Sequence, residues 1–149
     1  MHINTEQVSY IDDYAHHPEE LRASIESVRR LFPERRLLVV FQPHLYTRTR
    51  DFVDGFAQVL GTADSLMLLP IYPARELPIE GVTSDWLLGK VPDGNEMACV
   101  VEKEALVTSI VDQVQSWQAL GDACVVMTLG AGDIDRLVND IKQNLNIYE

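Results

Sequence analysis

Short apolar runs alternate along the chain with stretches whose apolar residues recur every three or four positions. The runs predict strands at residues 8–11, 37–41, 65–69, 97–101 and 123–129. The helical spacing predicts helices at residues 18–32, 51–60, 84–88, 104–117 and 134–145. This alternation indicates βαβ units, and therefore an α/β fold whose mostly parallel sheet of about five or six strands carries helices on both faces.

The apolar pattern also predicts which faces of these elements are buried. Residues 37–41 are apolar without interruption, as expected of a strand covered on both faces. In the helix at residues 51–60, we expect Phe52, Phe56 and Val59 to share the inward side. Residues 70–81 are rich in proline and predict an ordered loop rather than a linker. Ligands of such sheets bind at the carboxyl ends of the strands, so the loops there are the candidate functional segments.

Length and charge narrow the class of protein. The chain has 149 residues, which fits one domain, and its formal net charge is −11. Such a charge disfavours nucleic acid and anionic membranes as partners. No apolar run reaches 18 residues and no signal peptide opens the chain, so we expect a cytoplasmic protein. Cys99 and Cys124 lie in apolar runs and are expected to be buried free thiols.

The loop after the first predicted strand concentrates polar side chains. Asp12, Asp13, Tyr14, His16 and His17 precede Pro18, where a helix begins. These groups could orient a phosphate, a metal ion or a substrate carboxylate. The alternative is that one aspartate caps the helix and one histidine packs beneath it.

The loop after the second strand, residues 42–50, allows two interpretations. Arg48 could clamp a carboxylate or phosphate with two parallel N–H donors, with His44 as a further donor. Alternatively, Thr47 or Thr49 caps a helix and the arginines are solvated.

Two further loops carry weaker signals. Gly130, Ala131 and Gly132 could let an anion approach the backbone at a helix N-terminus, or form a tight turn capped by Asp133. In residues 72–76, spacing alone favours Arg75 and Glu76 as surface charges.

A zinc site of Asp13, His16 and His44, as in a metal-dependent hydrolase, is a minority alternative; our prediction is no metal ligand in this chain.

Four motifs in order resemble the C-terminal domain of the Mur ligases, over nearly the whole chain. They are Asp-Asp-Tyr-Ala-His-His-Pro from residue 12, Phe-Gln-Pro-His-Leu-Tyr-Thr-Arg-Thr-Arg from residue 41, Tyr-Pro-Ala-Arg-Glu from residue 72 and Gly-Ala-Gly-Asp-Ile from residue 130. The resemblance is strongest to the members that join L-alanine to UDP-N-acetylmuramate in peptidoglycan synthesis. Those that join a tripeptide to the same nucleotide sugar during recycling are the nearest alternative. One departure is Leu45, where family members often have arginine, so any second clamp from that position is absent.

The resemblance implies a Rossmann-like domain that closes over a site built mainly by two other domains. One of these holds the UDP group and the other binds ATP and Mg²⁺; both are expected to be absent from residues 1–149, which carry no Gly-x-x-x-x-Gly-Lys-Ser/Thr motif. This domain would be inactive alone.

By resemblance, Arg48 and His44 bind the amino-acid substrate together with Tyr14. Tyr14, His16 and Asp13 serve catalysis near the reacting phosphate, Asp13 by accepting from the ammonium group or orienting a histidine. A stand-alone module that binds a small anion is the alternative from a different class of function.

Overall fold

The computed structural model of the chain describes residues 1–146, and their strands form one sheet. The strands are β1 (Ile3–Asn4), β2 (Val8–Asp13), β3 (Arg36–Phe41), β4 (Ser65–Leu68), β5 (Met97–Val100) and β6 (Cys124–Leu129). Their spatial order is β1-β2-β6-β3-β4-β5. All neighbouring strands are parallel except β1, which runs antiparallel to β2. The predicted α/β architecture is confirmed.

Helices cover both faces of this sheet. They are α1 (Pro18–Leu31), α2 (Tyr46–Asp51), α3 (Val53–Leu60), α4 (Ser84–Lys90), α5 (Lys103–Ala119) and α6 (Val138–Leu145), the last preceded by a 3₁₀ turn at Asp133–Leu137. The buried residues of α1, α3 and α4 pack on one face, and those of α5 and α6 on the other. The central strands β3 and β6 are apolar on both faces because both faces are covered.

For the helix predicted at residues 51–60, the predicted first residue is wrong, and so is the predicted burial of Phe52. Helical structure begins at Tyr46 and is interrupted at Phe52, where the backbone leaves helical geometry (φ −117°, ψ 22°). Because the chain changes direction there, Phe52 is 48% exposed, whereas Phe56 and Val59 are buried as predicted.

Three smaller predictions also need correction. The predicted helix at residues 134–145 starts with the 3₁₀ turn, which leaves Leu137 half-buried. The first predicted strand begins at residue 8, but β1 precedes it and pairs with β2. Cys124 is buried, which raises the pKa of its thiol to about 12, but Cys99 is only half-buried because β5 is an edge strand.

The carboxyl ends of the central strands meet at one edge of the sheet. The Gly130 amide donates to the Asp13 carbonyl, the Gln42 amide to the Leu129 carbonyl, and the Leu69 amide to the Phe41 carbonyl. These bonds bring together the loops that follow β2, β6, β3 and β4, where the candidate residues lie. Within residues 1–146, every helix is too short or too polar to cross a bilayer.

Candidate functional site

The loops after β2 and β3 bring two histidines together at the carboxyl edge of the sheet. The rings of His16 and His44 meet edge to face, with centroids 6.2 Å apart. The ring of Tyr14 also meets that of His16 edge to face, with centroids 5.9 Å apart. The sequence predicted these residues as site members, and the structure places them in one surface cluster.

Arg48 reaches the same cluster from helix α2, one turn after His44. Its Nη1 lies 2.9 Å from Nδ1 of His44 and donates to the His44 carbonyl at 3.3 Å. In the part of the chain that the structure describes, the Arg48 guanidinium forms no ion pair with a carboxylate, whereas Arg50 pairs with Asp51. The remaining N–H groups of Arg48 are therefore available to an anionic ligand.

The contact with Arg48 determines which ring nitrogen of His44 accepts a hydrogen bond and which one donates. A guanidinium only donates, so Nδ1 of His44 accepts and the proton of the neutral ring sits on Nε2. The ring also stacks on Tyr72, with centroids 5.5 Å apart and planes at 13°. Partial burial, then the positive charge of Arg48 and that of His16 when its ring is protonated, lower the pKa of His44, while the charge of Glu76 opposes them. His44 is thus a neutral N–H donor at pH 7.

His16 has the complementary arrangement. Its Nδ1 lies 3.0 Å from the Tyr14 carbonyl oxygen, which can only accept, so Nδ1 carries the proton of the neutral ring. Nε2 of neutral His16 then offers a lone pair. In their neutral forms, the two histidine rings, with centroids 6.2 Å apart, therefore supply one acceptor and one donor within the same cluster. Such a pair suits a reaction in which one group receives a proton from an amine while the other donates to an anion.

Asp13 and Tyr14 occupy more peripheral positions. The Asp13 carboxylate accepts from the Ala15 amide at 3.3 Å and from the Ser24 hydroxyl at 2.6 Å. It therefore holds the loop against α1. Of the two roles predicted for Asp13, this geometry supports the orientation of a histidine, because the loop carries His16. Tyr14 is 67% exposed.

The interpretation of an aspartate as the cap of α1 is wrong. His17 is the N-cap residue, and Glu20 accepts from the backbone amides of His16 and His17 at 3.2 and 3.0 Å. The cap of α2 is not Thr47 or Thr49 either. Leu45 occupies that position with φ 73°, and Thr49 is buried with its hydroxyl bonded to the Leu45 carbonyl.

The structure does not assemble the zinc site considered for a hydrolase, because the Asp13 carboxylate faces Ser24. In residues 1–146, the group of metal-ligand types that does come together is His16, His17 and Glu20. One oxygen of Glu20 already accepts the two backbone amides of the helix cap.

Glu76 is more than the surface charge that its spacing suggested. Its carboxylate accepts from the Thr47 amide at 3.1 Å and from the Thr47 hydroxyl at 2.5 Å. Tyr72 and Glu76 were both missed as site residues. The available signal was their position in a proline-rich loop directly after β4, whose carboxyl end lies beside that of β3.

The glycines at residues 130–132 have an intramolecular explanation. Gly130 has φ 143°, and a Cβ on Gly132 would lie 2.4 Å from Oε1 of Gln42 and 2.8 Å from Tyr72. Gln42, which is buried, accepts from the Ile134 amide and donates to Asp133. Side chains of this domain thus occupy the approach to the Gly132 backbone, and the anion-binding prediction gains no support from this geometry.

A family model for the glutamate ligase domain of Mur ligases matches residues 1–132. The chain belongs to the Mur ligase family. This Mur ligase domain is 49% identical over 97% of its length to UDP-N-acetylmuramate–L-alanine ligase of Flavobacterium johnsoniae, and 52% identical over 93% to that of Cytophaga hutchinsonii. It spans 30% and 28% of those proteins, so it corresponds to less than a third of their length.

Two solved structures share the fold of this Mur ligase domain. One is a domain described as coming from a UDP-N-acetylmuramate:L-alanyl-gamma-D-glutamyl-meso-diaminopimelate ligase of Haemophilus ducreyi, with a TM-score of 0.60 and 20% identity, covering 93% of this chain and 92% of that one. The other is folylpolyglutamate synthase of Mycobacterium tuberculosis, with a TM-score of 0.56 and 17% identity, covering 80% of this chain and 26% of that one.

Replacing Gly132 with alanine should destabilise this Mur ligase domain by about 1–3 kcal/mol, because the new methyl group overlaps Gln42 and the ring base of Tyr72. Denaturant unfolding measures the effect. Gly89→Ala is the matched control: it lies in α4 with nothing within 4 Å of the added Cβ, and should be neutral or stabilising by up to about 1 kcal/mol. Equal stabilities of the two variants would contradict the packing argument.

The ring of His44 should titrate below the ordinary histidine value of 6.5, as followed by NMR of its ring protons. Arg48→Gln should raise this pKa by removing a nearby positive charge, whereas Arg50→Gln should have less effect because Arg50 pairs with Asp51. Because the folded domain takes up this proton less readily than the unfolded chain, the contribution of His44 to stability is full above pH 6.5 and falls as the solution is acidified. An unchanged pKa in Arg48→Gln would contradict the assigned contact.

Proposed function

We propose that this chain is the C-terminal domain of a UDP-N-acetylmuramate–L-alanine ligase, a cytoplasmic enzyme of peptidoglycan synthesis. Eight relatives, between 43% and 52% identical to the chain, carry that name. In this proposal, ATP phosphorylates the carboxylate of UDP-N-acetylmuramate, and the amine of L-alanine displaces phosphate to form the amide. The domain captures alanine and closes over the reacting groups.

The observation that carries the proposal is the arrangement of Arg48 and His44. L-Alanine offers a carboxylate, an ammonium group and one methyl group. The unpaired edge of the Arg48 guanidinium matches the carboxylate, and Nε2–H of His44 adds a second donor. The contacts from Arg48 to His44 fix both groups before the substrate arrives, which lowers the entropy lost on binding.

His16 supplies the second requirement of the reaction. The ammonium group of alanine must lose a proton before its nitrogen can attack an acyl phosphate. Nε2 of neutral His16 is an acceptor within the same cluster, so it can take that proton while Arg48 holds the carboxylate. Tyr14, on the solvent side of His16, would be covered when the domain closes. Closure also excludes water, which would otherwise hydrolyse the acyl phosphate.

The Gly130–Gly132 loop does not fit the phosphates of ATP, and the group of His16, His17 and Glu20 does not fit Mg²⁺. Gln42 and Tyr72 crowd the backbone of the Gly130–Gly132 loop, and the carboxylate of Asp133 follows it. The group formed by His16, His17 and Glu20 is rich in nitrogen, whereas Mg²⁺ prefers oxygen ligands. Binding of ATP and Mg²⁺ is therefore assigned to the parts of the enzyme outside this chain, together with the UDP group.

The ligase that adds a tripeptide to the same acceptor remains the alternative within the family. The Haemophilus ducreyi domain shares the fold, but at 20% identity it carries no information on the substrate. The names of the relatives near 50% identity favour alanine.

In the full-length ligase, Arg48→Ala should raise the KM for L-alanine by about 30-fold, which corresponds to the loss of about 2 kcal/mol from a charged hydrogen-bonded pair. The KM values for ATP and UDP-N-acetylmuramate should stay within twofold of the wild type. Phosphate release in the presence of all three substrates measures these constants. Arg50→Ala is the matched control, because Arg50 lies on the same helix but pairs with Asp51. An unchanged alanine KM in Arg48→Ala would overturn the assignment, and a preference for tripeptide over alanine would favour the alternative ligase.

The 149-residue chain alone should release no phosphate from ATP in the presence of L-alanine and UDP-N-acetylmuramate. Addition of the remaining two domains of the ligase as a separate polypeptide should restore alanine-dependent release. Turnover by the chain alone would refute the division of the site between domains.

A further inference from the structure

We infer that Glu76 is a positioning residue for amino-acid capture: through Thr47 it fixes the start of helix α2 and thereby the direction of Arg48. This inference rests on the proposed function, in which Arg48 holds the alanine carboxylate. Among residues 1–146, the Glu76 carboxylate forms hydrogen bonds with Thr47 and none with the side chains of His16, His44 and Arg48; only its charge reaches His44. It acts through the backbone that carries Arg48.

Helix α2 cannot hold its own position. It has six residues, from Tyr46 to Asp51, and helices of this length are unstable without tertiary contacts. Its N-cap residue, Leu45, provides no side-chain hydrogen bond and has a left-handed backbone conformation (φ 73°). A leucine is strained in that conformation, so surrounding contacts must hold it there.

Glu76 provides the missing anchor from another loop. Its two oxygens accept from the amide and the hydroxyl of Thr47, the second residue of α2. These bonds, first of all that from the Thr47 hydroxyl, lower the pKa of Glu76, so the anchor is charged at neutral pH. A carboxylate at this end of the helix also interacts favourably with the helix dipole. Arg48 follows Thr47 directly, so Glu76 fixes the backbone one residue before the arginine that would hold the alanine carboxylate.

The loop that carries Glu76 is itself tied to the loop that carries His44. His44 and Tyr72 form a parallel bridge, the Leu45 amide donates to the Tyr72 carbonyl at 2.9 Å, and the Tyr72 amide donates to the Pro43 carbonyl at 2.8 Å. The turn between Tyr72 and Glu76 is closed by the Glu76 amide on the Pro73 carbonyl, with Ala74 at φ 53°. Residues 72–76 therefore position two residues of the neighbouring loop. Tyr72 stacks on His44, and the carboxylate of Glu76 binds Thr47.

The experiment is kinetics of the full-length ligase with three variants of the anchor. Glu76→Ala removes both bonds and should raise the alanine KM about tenfold, since the charged carboxylate that accepts them from the helix is lost. Glu76→Gln keeps an acceptor but not the charge, and should give a smaller increase. Thr47→Val removes only the hydroxyl bond and tests the contact from the other side. The KM values for ATP and UDP-N-acetylmuramate should not change, which separates positioning from general loss of structure.

Two controls complete the design. Glu80→Ala removes an exposed carboxylate of the same loop and should leave the alanine KM unchanged. In the double variant Arg48→Ala/Glu76→Ala, the increase in the alanine KM should be smaller than the product of the two single increases, because the anchor acts mainly through Arg48 and only its charge reaches His44.

The outcomes separate this inference from the proposed function. If Arg48→Ala raises the alanine KM while Glu76→Ala and Thr47→Val do not, the anchor is refuted and the proposed function stands. If Arg48→Ala has no effect, both are refuted. If Glu76→Ala fails to fold, Thr47→Val and Glu76→Gln decide: a selective increase in the alanine KM supports the anchor, and equal changes for all three substrates overturn it.

Discussion

The parallel pairing of β3 with both β6 and β4 is the constraint on which the rest of this domain depends. It aligns Phe41 with Leu129 on one side and with Leu68 on the other, so the loops that leave these strands start at the same edge. Residues far apart in sequence, such as His16, His44 and Tyr72, consequently meet at that edge. Because both faces of the central strands are buried, a shift of register would expose apolar residues, and the edge is fixed accordingly.

Sequence patterns predicted the long elements well and the short ones poorly. The burial of Leu106, Ile110, Val114 and Trp117 in α5 follows from a spacing that only one helix face satisfies. Helix α2 has six residues, and its start depends on Glu76, which lies 29 residues from Thr47 in sequence. No local signal encodes such a contact. The two-residue strand β1 was missed for the same reason, since its existence depends on pairing with β2.

For the candidate site too, the sequence predicted some features and missed others. His16, His44 and Arg48 were identified from their motifs, and the structure brings them together; their roles in substrate binding and catalysis stay predictions. The tautomers of the two histidines depend on the Tyr14 carbonyl and on Arg48, partners that become apparent only when the loops are folded. The prediction from the glycines was less successful. The Gly130–Gly132 loop suggested a binding site for an anion, but the side chain of Gln42 lies against its backbone. A glycine permits close approach, but the sequence does not say which group approaches.

The electrostatics of the domain bear on the proposed ligase, in which other parts of the enzyme complete the site. In a chain with a formal net charge of −11, the unpaired guanidinium of Arg48 is a local positive feature beside a neutral His44. In the open domain, a half-buried arginine of this kind binds a small zwitterion weakly, because water competes for every hydrogen bond. When a second surface covers Tyr14 and His16 and excludes that water, the same contacts strengthen in the lower dielectric. In the proposed ligase, closure would therefore couple capture of the amino acid to protection of the acyl phosphate, with the residues of this domain already in position.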